Sequence, residues 1–134
     1  MILVDTSVWI DYFNGKINKY TNKLEEILST EQVIMGDIIL AEILQGFRKN
    51  SDFNKAKKAL GYLNCYSISN KMITIKSAEN FRHLRKKDIT IRKTTDMLIG
   101  TYCIENQIVL LHNDKDFLPL QDLGLKFVFA QTIG

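Results

Sequence analysis

Residues 1–10 read MILVDTSVWI. The three aliphatic residues Ile2-Leu3-Val4 run straight into Asp5. Thr6 and Ser7 then open a stretch in which Trp9 and Phe13 stand one helical turn apart. A short, continuously apolar run rich in β-branched residues is the pattern of a strand covered on both faces. A hydroxyl directly after such a run is a helix-start signal, because its oxygen can accept a free backbone N–H. The segment therefore predicts a strand, an acid at its end, and a helix that begins at once.

The same order recurs along the chain. Val33-Ile34-Met35 leads into Asp37 and a helical pattern of Ile39, Ile43 and Phe47, with Glu42 in its first turns. Ile108-Val109-Leu110-Leu111 leads to Asp114 and Asp116, while Tyr66-Ser67-Ile68 and Phe127-Val128-Phe129 complete five predicted strands. Leu24, Ile27 and Leu28 mark one further helix, and Phe53, Ala56, Ala59, Leu60 and Leu63 another. Asn70 to Lys87 reads as one long helix. Asp88 to Lys93 is a basic connection to a helix over Thr95 to Gly100 that carries Asp96. Helix caps are expected at Thr6 or Ser7, Asp37, Ser51 or Asp52, Asn70, and Thr94 or Thr95. Strands alternating with helices in this way predict a parallel sheet sandwiched between helices.

With 134 residues, 46% of them hydrophobic and 25% charged, the chain has the make-up of one globular domain, spanning 1–134. One proline and scattered glycines supply no linker. No apolar run is long enough to span a bilayer and the start lacks a basic signal region, so a cytoplasmic protein without membrane attachment is expected. Cys65 and Cys103 are not paired in a CxxC and read as buried packing residues. The net charge of +3 favours a polyanionic partner only weakly. Its distribution says more, since Lys49, Lys55, Lys57 and Lys58 form one basic stretch and Arg82, Arg85, Lys86, Lys87, Arg92 and Lys93 a denser one.

In an open α/β sheet, residues just after the strands and at the starts of the following helices gather at the carboxyl edge. Asp5, Glu42, Asp96 and Asp114, with Asp116, are thereby expected to converge. Two carboxylates about 4 Å apart repel by about 4 kcal/mol at an effective dielectric of about 20, so such a cluster needs a cation. An all-carboxylate set without histidine or cysteine suits a hard divalent ion, Mg²⁺ or Mn²⁺. Such an ion orients and acidifies a water against a phosphodiester, which points to phosphate-ester hydrolysis.

VDTSVWIDYF, DIILAEILQGF, TTDMLIGTYC and LLHNDKDFLPL, in this order over almost the whole chain, resemble the PIN-domain toxin ribonucleases of the VapC type. The resemblance implies a PIN-like three-layer α/β/α sandwich with about five parallel strands, a homodimer, and Mg²⁺- or Mn²⁺-dependent cleavage of RNA, with transfer RNA or another structured RNA as target. It also implies neutralisation by a cognate VapB-type antitoxin. Asp5, Glu42, Asp96 and Asp114 match the family's four acids, and Asp116 an additional one. Asp5, Asp96, Asp114 and Asp116 are the expected metal ligands. Thr6 and Ser7 match the hydroxyl position beside the first acid. His112 stands where the family often has threonine or serine.

Arg48, Arg92 and Lys93 are the residues expected to hold the RNA backbone. Asp11, Asp37, Glu25, Glu26, Glu31, Glu105 and Asp122 read as surface or capping residues, and Trp9 and Phe13 as core or interface. A phosphorelay receiver would need an acid after the third strand, where Ser67-Ile68-Ser69-Asn70 offers none. A PIN-like fold that binds RNA without cutting it would show the loss of an acid, and all four positions are filled.

Overall fold

A computed structural model describes residues 1–129. Four strands, β1 (Ile2–Val4), β2 (Val33–Gly36), β3 (Cys65–Tyr66) and β4 (Val109–Leu111), form one parallel sheet in the order β3-β2-β1-β4. Leu3 and Val4, Ile34 and Met35, and Leu110 and Leu111 are all buried. Because successive strand residues point to opposite faces, burial of both members of each pair means that helices cover both sides of the sheet. The expected α/β sandwich is thus present.

The helices are α1 (Thr6–Phe13), α2 (Lys19–Thr30), α3 (Asp37–Gln45), α4 (Asn50–Leu60), α5 (Lys71–Arg85) and α6 (Thr94–Asn106), followed by a 3₁₀ segment over Lys115–Leu123. The expected long helix after Asn70 is α5, and Asn70 caps it by accepting the Ile73 N–H. The other caps differ from expectation. Asp5 itself caps α1, Gly36 precedes α3, and neither Lys49 nor Lys93 caps α4 or α6 through its side chain. Asp37 opens α3 but spends one carboxylate oxygen on the N–H groups of Ile38 (2.8 Å) and Ile68 (3.0 Å).

Two predicted strands come out shorter or displaced. The third covers Cys65–Tyr66 instead of reaching Ile68, whose amide is taken by Asp37. The fifth shrinks to a single parallel bridge between Leu110 and Phe127, held by Leu110 N–H to Lys126 O and Val128 N–H to Leu110 O. Among the described residues the regular sheet therefore has four strands. Cys103 is buried as expected, but Cys65, on the edge strand β3, is exposed. Trp9 is buried and stacks on Phe13 with ring centroids 6.0 Å apart. Among the described residues no helix is long and apolar enough to cross a membrane.

The chain leaves β1 for β2 and β3 on one side, then returns to place β4 on the other. The order of strands reverses around β1, and a crevice at the carboxyl ends of the strands on either side of such a switch is where open α/β sheets bind ligands. Asp5 follows β1, and Asp114 lies three residues beyond β4.

Candidate active site

The ladder between β1 and β4 continues one step past β1, because the Asp5 N–H donates to Leu111 O at 2.9 Å. That bond fixes the Asp5 backbone at the sheet edge. Its carboxylate then accepts from Ser7 Oγ at 3.0 Å and from Ser7 N at 3.5 Å, so the residue caps α1 while facing the crevice. Thr6, its other neighbour, turns elsewhere and donates its hydroxyl to Glu42 Oε1 at 2.8 Å. The two hydroxyls thus divide the work: Ser7 orients Asp5 and Thr6 orients Glu42.

Asp96 enters from the first turn of α6 and is only 5% exposed. Its Oδ2 is buried and has no hydrogen-bond partner among the described residues. Asp114 ends the turn after β4, accepts the Asp116 N–H at 2.9 Å through Oδ1, and donates its own N–H to His112 Nδ1 at 3.1 Å. Asp96, Asp114 and Asp116 each offer a carboxylate oxygen within 4.8 Å of the others. Asp5 lies outside that tight trio, yet it and Asp96, Asp114, Glu42, Thr6 and Ser7 line one cleft of about 290 Å³. All five acids singled out by the sequence therefore meet at one edge.

The electrostatic consequence is marked. Burial raises the Asp5 carboxyl to about 6, against the hydrogen bonds from Thr6 and Ser7, and nearby Glu42 raises it further. Burial also raises Asp96, to about 7, with Asp5, Asp114 and Asp116 adding to the rise and Lys93 opposing it. A buried, unpartnered carboxylate oxygen beside two further carboxylates is a costly arrangement unless a cation completes it. The donor set is all oxygen, which suits Mg²⁺ or Mn²⁺.

The basic residues separate into three situations. Lys93 lines the cleft, and Arg92 reaches Asp116 with an Nη2–Oδ2 distance of 3.3 Å while its side chain stays 77% exposed. Arg48 is exposed beyond α3 and does not line the cleft. His112 is buried between Phe117 and Phe127, with its pKa lowered to about 4 chiefly by burial. It stays neutral near neutral pH and lies away from the cleft lining. Sequence reasoning missed Gln45 and Ile10, which also line the cleft. Gln45 was findable, since it follows Glu42 by three residues and such pairs share a helix face.

The sequence pattern of the PIN domain matches residues 2–122. The chain belongs to the PIN-domain family. The chain is 27% identical over 119 residues to VapC ribonuclease Mb1587 of Mycobacterium bovis, covering 87% of this chain and 89% of that protein. Ribonuclease VapC11 of Mycobacterium tuberculosis matches to the same extent. Among solved structures, VapBC2 from Rickettsia felis, bound to a DNA fragment from its promoter, has a chain with a TM-score of 0.76 at 23% identity. The match covers 95% of this chain and 97% of that one. VapBC-1 from nontypeable Haemophilus influenzae gives 0.72 at 22% identity, covering 95% and 96%. At such identities the structural likeness speaks for the PIN fold.

Proposed function

We propose that this PIN-domain protein is a divalent-metal-dependent endoribonuclease, the toxin of a toxin–antitoxin pair. The observation that carries the reading is Asp96, buried with its Oδ2 unpartnered and with a carboxylate oxygen within 4.8 Å of Asp114 and Asp116, in a cleft that Asp5, Glu42 and Asp114 also line. The relatives named as VapC ribonucleases narrow the substrate to RNA. In this reading residues 1–134 form one nuclease domain of a cytoplasmic protein.

Asp96, Asp114 and Asp116 would hold the ion, with Asp5 as the further ligand across the cleft. When bound, Mg²⁺ or Mn²⁺ supplies charge neutralisation at the phosphodiester and acidifies the attacking water. Ser7 keeps Asp5 in its capping orientation through Oδ2, which leaves Oδ1 to reach the ion. Glu42, held by Thr6, is the acid whose second oxygen is free to take a proton from the attacking water. Lys93 and Arg92 hold the RNA backbone at the rim, whereas Arg48 would meet RNA only away from the acids. Transfer RNA or another structured RNA is the proposed target. A homodimer and a VapB-type antitoxin are the proposed assembly; the antitoxin is supported by VapBC complexes among the structural neighbours.

A direct test offers a structured RNA such as transfer RNA and a DNA of the same sequence, with Mg²⁺ or Mn²⁺ or with chelator. Cleavage of RNA alone, only with metal, is expected. Equal cleavage of both, or cleavage in chelator, would overturn the reading.

A further inference from the structure

His112 is a polar residue that the fold has taken into its core. It is 3% exposed, its ring lying edge-on to Phe127 at 4.2 Å between centroids and tilted against Phe117 at 5.1 Å. Its Nδ1 receives the Asp114 N–H at 3.1 Å. A backbone amide is always a donor, so Nδ1 presents its lone pair and the imidazole proton resides on Nε2. Nε2 is buried and has no hydrogen-bond partner among the described residues. An orphaned N–H costs free energy that a leucine or phenylalanine in the same aromatic cage would avoid. The useful atom is therefore Nδ1.

What Nδ1 holds is the first step of a short staircase. The Asp114 amide is fixed by His112, and the Asp116 amide is in turn fixed by Asp114 Oδ1 at 2.9 Å. Both acids so fixed present carboxylate oxygens within 4.8 Å of each other and of Asp96. We infer that His112 is a positioning residue: a fixed, neutral hydrogen-bond acceptor that sets the turn carrying Asp114 and Asp116 so that both carboxylates face Asp96. This rests on the reading of those acids as cation ligands. The same geometry removes two other roles, since a buried Nε2 reaches no phosphate and an occupied Nδ1 shuttles no proton.

The experiment uses the full chain with His112→Asn, whose Oδ1 can replace the Nδ1 acceptor, and with His112→Leu, which fills the cage without an acceptor. In chelator, nitrogen NMR of the wild type should show the His112 proton on Nε2. Hydrogen exchange of the Asp114 amide should be slow in wild type and His112→Asn, and fast in His112→Leu. Mn²⁺ alone, titrated by electron paramagnetic resonance, should bind His112→Leu about ten-fold or more weakly, as expected for loss of an outer-shell partner, and His112→Asn close to wild type. Wild-type Mn²⁺ affinity in a folded His112→Leu, or an asparagine variant no better than leucine, overturns the inference. If the leucine variant does not fold, the tautomer decides: a proton on Nδ1 overturns the inference, and one on Nε2 upholds it. A wild type that binds no Mn²⁺ or Mg²⁺ sinks the nuclease reading instead, while the metal-free exchange still reports on His112.

Discussion

Asp5 and Asp96 are the residues whose chemistry sets the behaviour of the metal-free protein. Each carboxyl rises from 3.8, to about 6 and about 7 respectively, with burial as the first cause. An acid whose folded pKa exceeds its unfolded value binds its proton more tightly when folded. It therefore favours folding fully at low pH, and that contribution is lost as pH rises through the folded value. Each unit is worth about 1.4 kcal/mol, so the two sites together penalise the chelated protein by several kcal/mol above about pH 7. Thermal denaturation in chelator should show the melting temperature falling between about pH 4 and 7, from the unfolded carboxyl value to the higher folded one. Asp96→Asn should raise it at the alkaline end, and Mn²⁺ should do the same for the wild type. A profile that is flat for wild type and unchanged by Asp96→Asn would contradict this assignment of burial.

The bond from Arg92 to Asp116 is largely solvated, so Arg92→Gln should change stability by less than about 1 kcal/mol. If Arg92 holds RNA, the variant should weaken RNA binding in chelator and reduce the salt slope by about one unit, as for one lost phosphate contact. An unaltered slope, measured by filter binding across a salt series, would remove Arg92 from the interface. The acids were legible in the sequence because each follows a strand or opens a helix. The Arg92 to Asp116 pair and the Thr6 to Glu42 bond were not, because they join residues 24 and 36 positions apart and depend on the finished fold.

At the scale of elements, the packing of α6 on the 3₁₀ segment decides where Asp96 stands relative to Asp114 and Asp116. Gly100 makes that approach possible: a Cβ there would lie 2.6 Å from Leu120 Cδ1, and Leu120 is fully buried. Gly100→Ala should therefore destabilise the protein by about 1–3 kcal/mol, the usual cost of overpacking. It should also weaken Mn²⁺ binding by shifting the two acids away from Asp96. Urea denaturation and metal titration check both, and a variant as stable as wild type would show that the segment gives way freely. The helices were largely legible from apolar periodicity, and their caps less so. The strand-ending acid Asp5 took the cap expected of Thr6 or Ser7: the Ser7 hydroxyl donates back to Asp5, and the Thr6 hydroxyl goes to a tertiary partner, Glu42. The third strand lost Ile68 for a similar reason, its amide going to Asp37. A pattern of apolar residues cannot show that a side chain will claim a ladder amide.

For the whole molecule, the strand order explains why acids spread from residue 5 to residue 116 serve one cleft. β1 lies between β2 and β4, so the residues following β1, β2 and β4 open on the same edge, and α6 adds Asp96 there. The alternation of strand and helix made this convergence legible, along with the parallel sheet. The five-strand expectation failed only at the last element, where a single bridge at Phe127 replaces a strand. The apolar run Phe127-Val128-Phe129 carried no sign that its backbone would pair at one residue alone. The PIN fold, the acids on one edge and the ribonucleases among the relatives form one consistent account.

If this acidic edge cuts RNA, protein purified free of any antitoxin should cleave total cellular RNA. Wild type should be compared with Asp5→Asn, with Mg²⁺ or Mn²⁺ against chelator. Asparagine keeps an oxygen for capping α1 and removes one negative charge, so the variant should remain folded. Discrete, metal-dependent fragments are expected from wild type and none from folded Asp5→Asn. Full activity in that variant, or no cleavage of transfer, ribosomal or messenger RNA by folded, metal-bound wild type, would contradict that role for the acidic edge.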